Sequence, residues 1–190
     1  MRLMGIEAIY PRPATSRSSK EHTVYPYLLT NVAIVRPNQV WATDITYIRM
    51  RHGFIYLVAI LDWFSRYILS WELSNSLEQS FCLEALDAAL DIAKPDIFNT
   101  DQGCQFTSHN FTARLKAQDV RISMDGRGRC FDNIFTERLW RTVKYEEVYI
   151  HDYNDVSEAY ANLQRYLLFY NTERLHQALD YKTPHCIGSA

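Results

Sequence analysis

Residues 40–73 read VWATDITYIRMRHGFIYLVAILDWFSRYILSWEL, and three extended segments are legible in them. VWATDITYI (40–48) is rich in β-branched and aromatic residues and is ended by Arg49–Gly53. FIYLVAILD (54–62) is a nearly continuous apolar run, the pattern of a strand covered on both faces. YILSWEL (67–73) follows after the short joint DWFSR. Joints this short connect antiparallel neighbours, so the stretch predicts a three-stranded meander. One residue does not suit a strand interior. Asp44 stands among Ala42, Thr43, Ile45 and Thr46, where a carboxylate is costly without a partner.

Downstream, Ser76 with Gln79 three residues later predicts a capping-box helix start. Leu83, Leu86 and Leu90 give that helix an apolar face, and Lys94-Pro95 ends it. DIFNT (96–100) reads as a fourth, short strand, parallel to a meander strand because a helix precedes it. SHNFTARLKAQ (108–118) reads as a helix and VRISM (120–124) as a fifth strand. After the loop DGRGRC, Asp132 is expected to cap a helix running to about Glu147. Asp155 with Glu158 opens a further long helix through Asn171, and the tail 174–185 reads as irregular. Together these elements describe an α/β fold: a mixed five-stranded sheet with helices on both faces, the ribonuclease-H-like architecture.

Upstream, residues 1–39 have no sustained period. PRPATSRSSKEH (11–22) reads as an extended linker, and residues 24–39 as an arm that packs on the domain edge. The division expected is therefore a linker and arm over 1–39 and one core with a C-terminal helix and tail over 40–190.

At 190 residues and 47% hydrophobic, the chain can bury a sizeable core. A net charge of −2 and a pI near 6.3 count against a strongly basic, autonomous nucleic-acid binder. The charge is uneven: residues 121–144 carry six Lys/Arg against three acids, and residues 62–101 carry two against eight. Cys82, Cys104, Cys130 and Cys186 show no CxxC and no zinc-finger spacing with histidine, so free thiols in a reducing cytoplasm are expected. There is no 18-residue apolar run and no signal-peptide core at the N-terminus, so no membrane partner is expected.

The chemistry resides in three acids. Asp101 follows Ile97-Phe98 at the carboxyl end of a parallel strand, where sites form in open α/β sheets. Glu137 lies 35 intervening residues further on, on a helix face shared with Asn133, Trp140, Arg141 and Lys144. Phe135, Leu139 and Val143 occupy the opposite face. With Asp44, these carboxylates suit Mg²⁺, a hard cation that takes oxygen ligands. Two such ions can activate an attacking oxygen and stabilise a leaving one in phosphoryl transfer. Lys144, two turns beyond Glu137, can reach a phosphate. Each acid has an ordinary reading as well. Asp44 and Asp101 could cap turns, and Glu137 could pair with Arg141 at i+4. Asp62 and Asp132 are further acids that composition does not exclude.

Six ordered motifs extend over about three-quarters of the chain: WATDITYI (41–48), YLVAILDWFSR (56–66), TDQGCQFTS (100–108), SMDGRGRCFDN (123–133), ERLWRTVK (137–144) and FYNTERLHQAL (169–179), followed by Thr183-Pro184. In these the chain resembles the integrase core of bacterial insertion-sequence transposases, the group typified by insertion sequence three, which is similar to retroviral integrases. The resemblance implies that Asp44, Asp101 and Glu137 are the catalytic, metal-holding triad. It implies two Mg²⁺ ions, with Mn²⁺ able to substitute. The activity implied is DNA cleavage and strand transfer in transposition, without a covalent protein–DNA intermediate. Lys144, Arg141, Asn133, Gln102 and Arg127 are the expected DNA contacts. The partners implied are transposon ends and target DNA and a second copy of the chain, with no small-molecule substrate, in a bacterial cytoplasm.

Departures from the family pattern are Gln102, where a basic residue is frequent, and Asp125-Gly126-Arg127, where Ser precedes a Lys-Gly pair. Such transposases also carry a helix-turn-helix region ahead of the core. Residues 1–39 resemble only its linker-like tail, so a truncated copy is expected. The alternative activity is a non-catalytic remnant that binds DNA or transposase subunits and inhibits them.

Overall fold

The computed structural model describes residues 23–126 and 134–188. The meander forms as read: β1 (Val40–Arg49), β2 (Phe54–Asp62) and β3 (Ile68–Ser74) pair antiparallel. Helix α1 (Ser80–Ile92) then crosses to β4 (Ile97–Thr100), which lies parallel to β1. A short helix α2 (Cys104–Thr107) and α3 (His109–Ala117) lead to β5 (Arg121–Met124), parallel to β4. The strand order is β3-β2-β1-β4-β5, a mixed sheet of five.

Each face of the sheet is covered. Phe81, Ala85 and Leu86 of α1 and Phe111 and Leu115 of α3 pack on Trp41, Val58 and Ile60. On the other face, α4 (Ile134–Val143) and α5 (Val156–Thr172) pack on Ile48, Leu57 and Leu61 through Leu139, Val143, Leu163 and Leu167. β1 and β2 are buried from both sides, which is why β2 has no polar alternation.

Local chemistry explains the joints. Asp62, 2% exposed, closes the β2–β3 turn: its carboxylate accepts from Asn38 N–H (2.9 Å), Ser65 N–H (2.7 Å) and Ser65 Oγ (2.6 Å). Asp155 caps α5 by accepting from Glu158 N–H. Asn171, late in α5, pins that helix to the edge strand by exchanging two hydrogen bonds of 2.9 Å with the backbone of Ile68.

Three expectations are corrected. Ser76 does not cap α1, which begins at Ser80. Gln79 reaches instead to Gln105 O and Ser108 Oγ at the α2–α3 junction, so a tertiary tie replaces the local capping box. The helix expected to run to about Glu147 gives way after Val143 to a π-helical turn, Lys144–Val148. The tail is ordered, with a 3-10 turn at Gln177–Leu179, a His176–Lys182 bridge and α6 (Pro184–Gly188). Asp132, Cys130, Asn133 and Arg127 lie outside the described residues.

The segment before β1 runs beside the sheet edge. Leu28 N–H donates to Ser123 Oγ, Tyr25 N–H to Met124 Sδ, and Leu29 is buried with Val40, Ala42 and Ile97. Cys82, Cys104 and Cys186 are free thiols. No helix among the described residues is long and apolar enough to cross a membrane.

Candidate active site

The parallel pairing of β1 with β4 sets the first geometric relation. Val40 pairs with Ile97, Trp41 with Phe98 and Ala42 with Asn99. Continued by two residues past the last pair, this register brings Asp101, just beyond the end of β4, level with Asp44. The two acids belong to one groove, lined also by Tyr47, Tyr56, Leu77 and Gly103.

Asp44 is half-buried. Its Oδ1 accepts from Ile45 N–H (2.8 Å) and its Oδ2 from the indole Nε1–H of Trp140 (2.9 Å). Burial is the main influence and pushes its pKa up to about 6. The Trp140 hydrogen bond works against that rise, while the charges of Asp101 and Glu137 add to it. Asp44 therefore senses both other acids, although Glu137 is 93 positions away in the chain. Asp101 stands at the rim, and its pKa is also raised, chiefly by burial.

Gly103 shapes Asp101. Its N–H donates to Asp101 Oδ1 at 2.9 Å. A Cβ on Gly103 would itself lie 2.9 Å from that oxygen, so the need for glycine here is steric, at an ordinary φ of −61°.

Glu137 sits in the first turn of α4, exposed. The helical face inferred from spacing carries it toward β1, because Trp140, one turn on, is the residue that reaches Asp44. Trp140 is buried, and sequence reasoning placed it on this face without giving it a role. Its signal was an aromatic with a polar tip on the acidic side of the helix. The ordinary reading of Glu137 as Arg141's partner does not hold among the described residues. Arg141 lies instead near the ring of Tyr145, 5.8 Å from its centroid.

Lys144 opens the π turn with its Nζ 4.6 Å from the centroid of Tyr47. Burial lowers its pKa and the Asp44 carboxylate pulls it back up, which puts the cation beside the acids. Gln102 is engaged elsewhere: its Nε2 donates to Asp125 O at 2.9 Å. Asp125 in turn accepts from Asn99 Nδ2 at 2.8 Å, so this pair ties the loop after β5 to β4.

The donor set is all carboxylate oxygen, and the charges of Asp101 and Glu137 raise the proton affinity of Asp44. That is the chemistry of a site for a hard cation. Among the described residues, no three His, Cys, Asp or Glu side chains stand close enough to share one ion.

Comparison with known proteins gives the family and the fold. Two integrase core domain models match, one over residues 35–130 and one over 118–184. The transposase for insertion sequence element IS904 of Lactococcus lactis is 34% identical over 152 residues, 78% of this chain and 60% of that protein. Transposase InsF for insertion sequence IS3A of Escherichia coli is 37% identical over 113 residues, 58% of this chain and 39% of that protein. The chain thus spans less than two thirds of the length of these relatives. Among solved structures, the HTLV-2 integrase catalytic core domain in complex with magnesium superposes with a TM-score of 0.66 at 19% identity. That match covers 82% of this chain and 99% of the viral one, and the shared fold is ribonuclease-H-like. With these models matched over residues 35–130 and 118–184, the chain belongs to the integrase core domain family.

Proposed function

We propose that this chain is the catalytic core of an insertion-sequence transposase, a polynucleotidyl transferase that cuts DNA strands and joins transposon ends to target DNA. The observation that carries this reading is Asp44. It is half-buried on a central strand, level with Asp101, and influenced by Glu137 from a helix on the covering layer.

Asp44, Asp101 and Glu137 would hold two Mg²⁺ ions, or Mn²⁺ in their place. Such ions would supply Lewis-acid activation of an attacking oxygen and stabilisation of a leaving one. Trp140 fixes the Asp44 carboxylate through Oδ2, and Gly103 fixes Asp101 through Oδ1, so both present their remaining lone pairs in a set direction. Lys144 meets the DNA backbone beside the acids, with Arg141 further out on the same helix. Arg127 and Asn133 are further DNA contacts on this reading, and Gln102 acts by holding Asp125 in place.

In cleavage, a water oxygen attacks phosphorus in line, the bond from phosphorus to the 3′ oxygen breaks, and a 3′-hydroxyl is released. In joining, that hydroxyl attacks a target phosphodiester in the same way and its proton passes to the new leaving oxygen. No bond to the protein forms. Two ends must be joined, so the working form is a homo-oligomer on DNA.

The test is resolution of a pre-joined branched DNA by the purified chain in Mg²⁺ or Mn²⁺, beside Asp101→Asn. Metal-dependent resolution that the variant lacks is expected. A well-folded chain inactive with both metals would point to a non-catalytic remnant, and equal activity in the variant would remove Asp101 from the site.

A further inference from the structure

Helix α4 has a second flank. Away from Glu137 and Trp140, its residues Ile134, Arg138 and Thr142 line a separate cavity of about 600 Å³. The β2–β3 turn contributes Arg66, the end of α5 contributes Tyr170 and Arg174, and the tail contributes His176. None of these residues touches the acid groove.

The cavity holds more positive charge than its carboxylates meet. Arg174 is paired: its Nε donates to Glu146 Oε2 at 2.8 Å, and Glu146 also accepts from Tyr166 Oη. Asp62, the acid nearest Arg66 in sequence, acts on it through its charge without forming an ion pair, its oxygens accepting from Asn38 and Ser65. Arg66 and Arg138 make no ion pair among the described residues. Arg66 is nonetheless held in place. Its guanidinium lies 3.5 Å over the ring of Phe135 and donates to Trp63 O. The positive field reaches His176, whose Nε2 is buried with no hydrogen-bond partner among the described residues. Burial first, then the charges of Arg174 and Arg66, push this imidazole down to about 4. An anion seated among the guanidiniums would offset that field.

We infer that this cavity is a phosphodiester site, seating a DNA backbone phosphate between Arg66, Arg138 and Arg174 on the flank of α4 away from the acids. The inference rests on the DNA-transferase reading above. The guanidiniums of Arg66, oriented by stacking, and Arg174, oriented by pairing, are planar and match the oxygens of a phosphate, and the exposed Arg138 completes the set. One helix, about 10–12 Å across with its side chains, separates the cavity from the acids. DNA engaged at the acids therefore has further phosphates within reach of this flank. The tail motif R-L-H (174–176), which the acid site does not use, supplies three of the cavity's lining residues.

The experiment is fluorescence anisotropy of a labelled duplex of mixed sequence with the full chain, metal-free and over a salt series. Arg138→Ala, Arg138→Lys and Arg138→Glu are compared with Arg121→Ala, an exposed arginine on β5 outside the cavity, with circular dichroism to confirm folding. Arg138→Ala is expected to weaken binding about threefold to tenfold and to lower the salt slope by about 1. Arg138→Glu should weaken it further, Arg138→Lys should restore part of it, and Arg121→Ala should bind as the parent does. Parental affinity and salt slope in Arg138→Glu, with binding still weakened by Lys144→Ala, would overturn the cavity's role and leave the transferase reading standing. A parent chain that binds no DNA would overturn both. If Arg138→Glu changes sedimentation of the protein alone and not DNA binding, an acidic surface of a second copy fills the cavity and the phosphate assignment falls.

Discussion

Asp44 and Asp62 are both carboxylates on the central strands of one sheet, yet their surroundings differ in kind. Asp62 is ringed by donors, with two backbone N–H groups and a hydroxyl on its two oxygens. Asp44 has its own neighbour's N–H and one indole, and beyond them the charges of Asp101 and Glu137. An acid enclosed by donors holds a turn together. An acid that faces other acids keeps an excess of negative charge even with its oxygens hydrogen-bonded, and a cation offsets it. The spacing of acids along the chain cannot draw this distinction, because it does not show which donors surround each one.

The comparison can be broken first through activity. Asp44→Asn should lower strand transfer on branched DNA by about a thousandfold or more while the fold persists. Asp62→Ala should act on the fold: with its buried donors stranded, the chain should lose about 3 kcal/mol in chemical denaturation. If both variants lost activity only, or both lost stability only, the two acids would be alike and the contrast would fail.

Titration sharpens it. Asp44 has a raised pKa in the folded protein, about 6 against an ordinary 3.8, so the folded state binds the proton more tightly than the unfolded one. The unmet charge therefore destabilises the protein fully above about pH 6, and the penalty is relieved as pH falls from about 6 to about 4. Metal-free thermal melts should rise in stability by roughly 2–3 kcal/mol over that window from Asp44. Glu72 and Asp101, also raised, act in the same direction. Most of the rise should disappear in Asp44→Asn, and a rise of the same size in that variant would locate the strain elsewhere.

Smaller effects follow from the neighbours. Gly103→Ala should displace the Asp101 carboxylate and lower turnover about tenfold to a hundredfold with little change in melting temperature. Trp140→Phe removes the N–H on Asp44 Oδ2 and also part of a buried ring, so about a tenfold loss of turnover and about 2–3 kcal/mol of stability are expected. Unchanged turnover in either variant would mean that the acids do not depend on these two contacts for their placement.

Much of this was legible in the sequence, for reasons of period and connection length. The meander, the parallel fourth strand, the presence of a fifth, and the helical face of Glu137 follow from local pattern. The α1 start was misread because Ser76-x-x-Gln79 has the form of a capping box, while Gln79 is recruited by the α2–α3 junction, 26 and 29 positions away. The four-residue α2 is too short to show a period. The π turn leaves no mark in composition, yet it places Lys144 over Tyr47. The Trp140–Asp44 bond spans 96 positions, and only the packing of α4 on β1 reveals it. The cavity beyond α4 gathers Arg66, Arg138 and Arg174 from three elements, a set no linear motif joins.

The most direct measurement is a thermal-melt titration with Mn²⁺ above and below pH 6, on the parent chain and on Asp44→Asn. Saturable stabilisation of the parent at the higher pH, diminished at the lower pH and absent in the variant, is the expected result. Equal stabilisation of both proteins, or none of the parent at the higher pH, would contradict the claim that Asp44 and its acidic neighbours form a cation site.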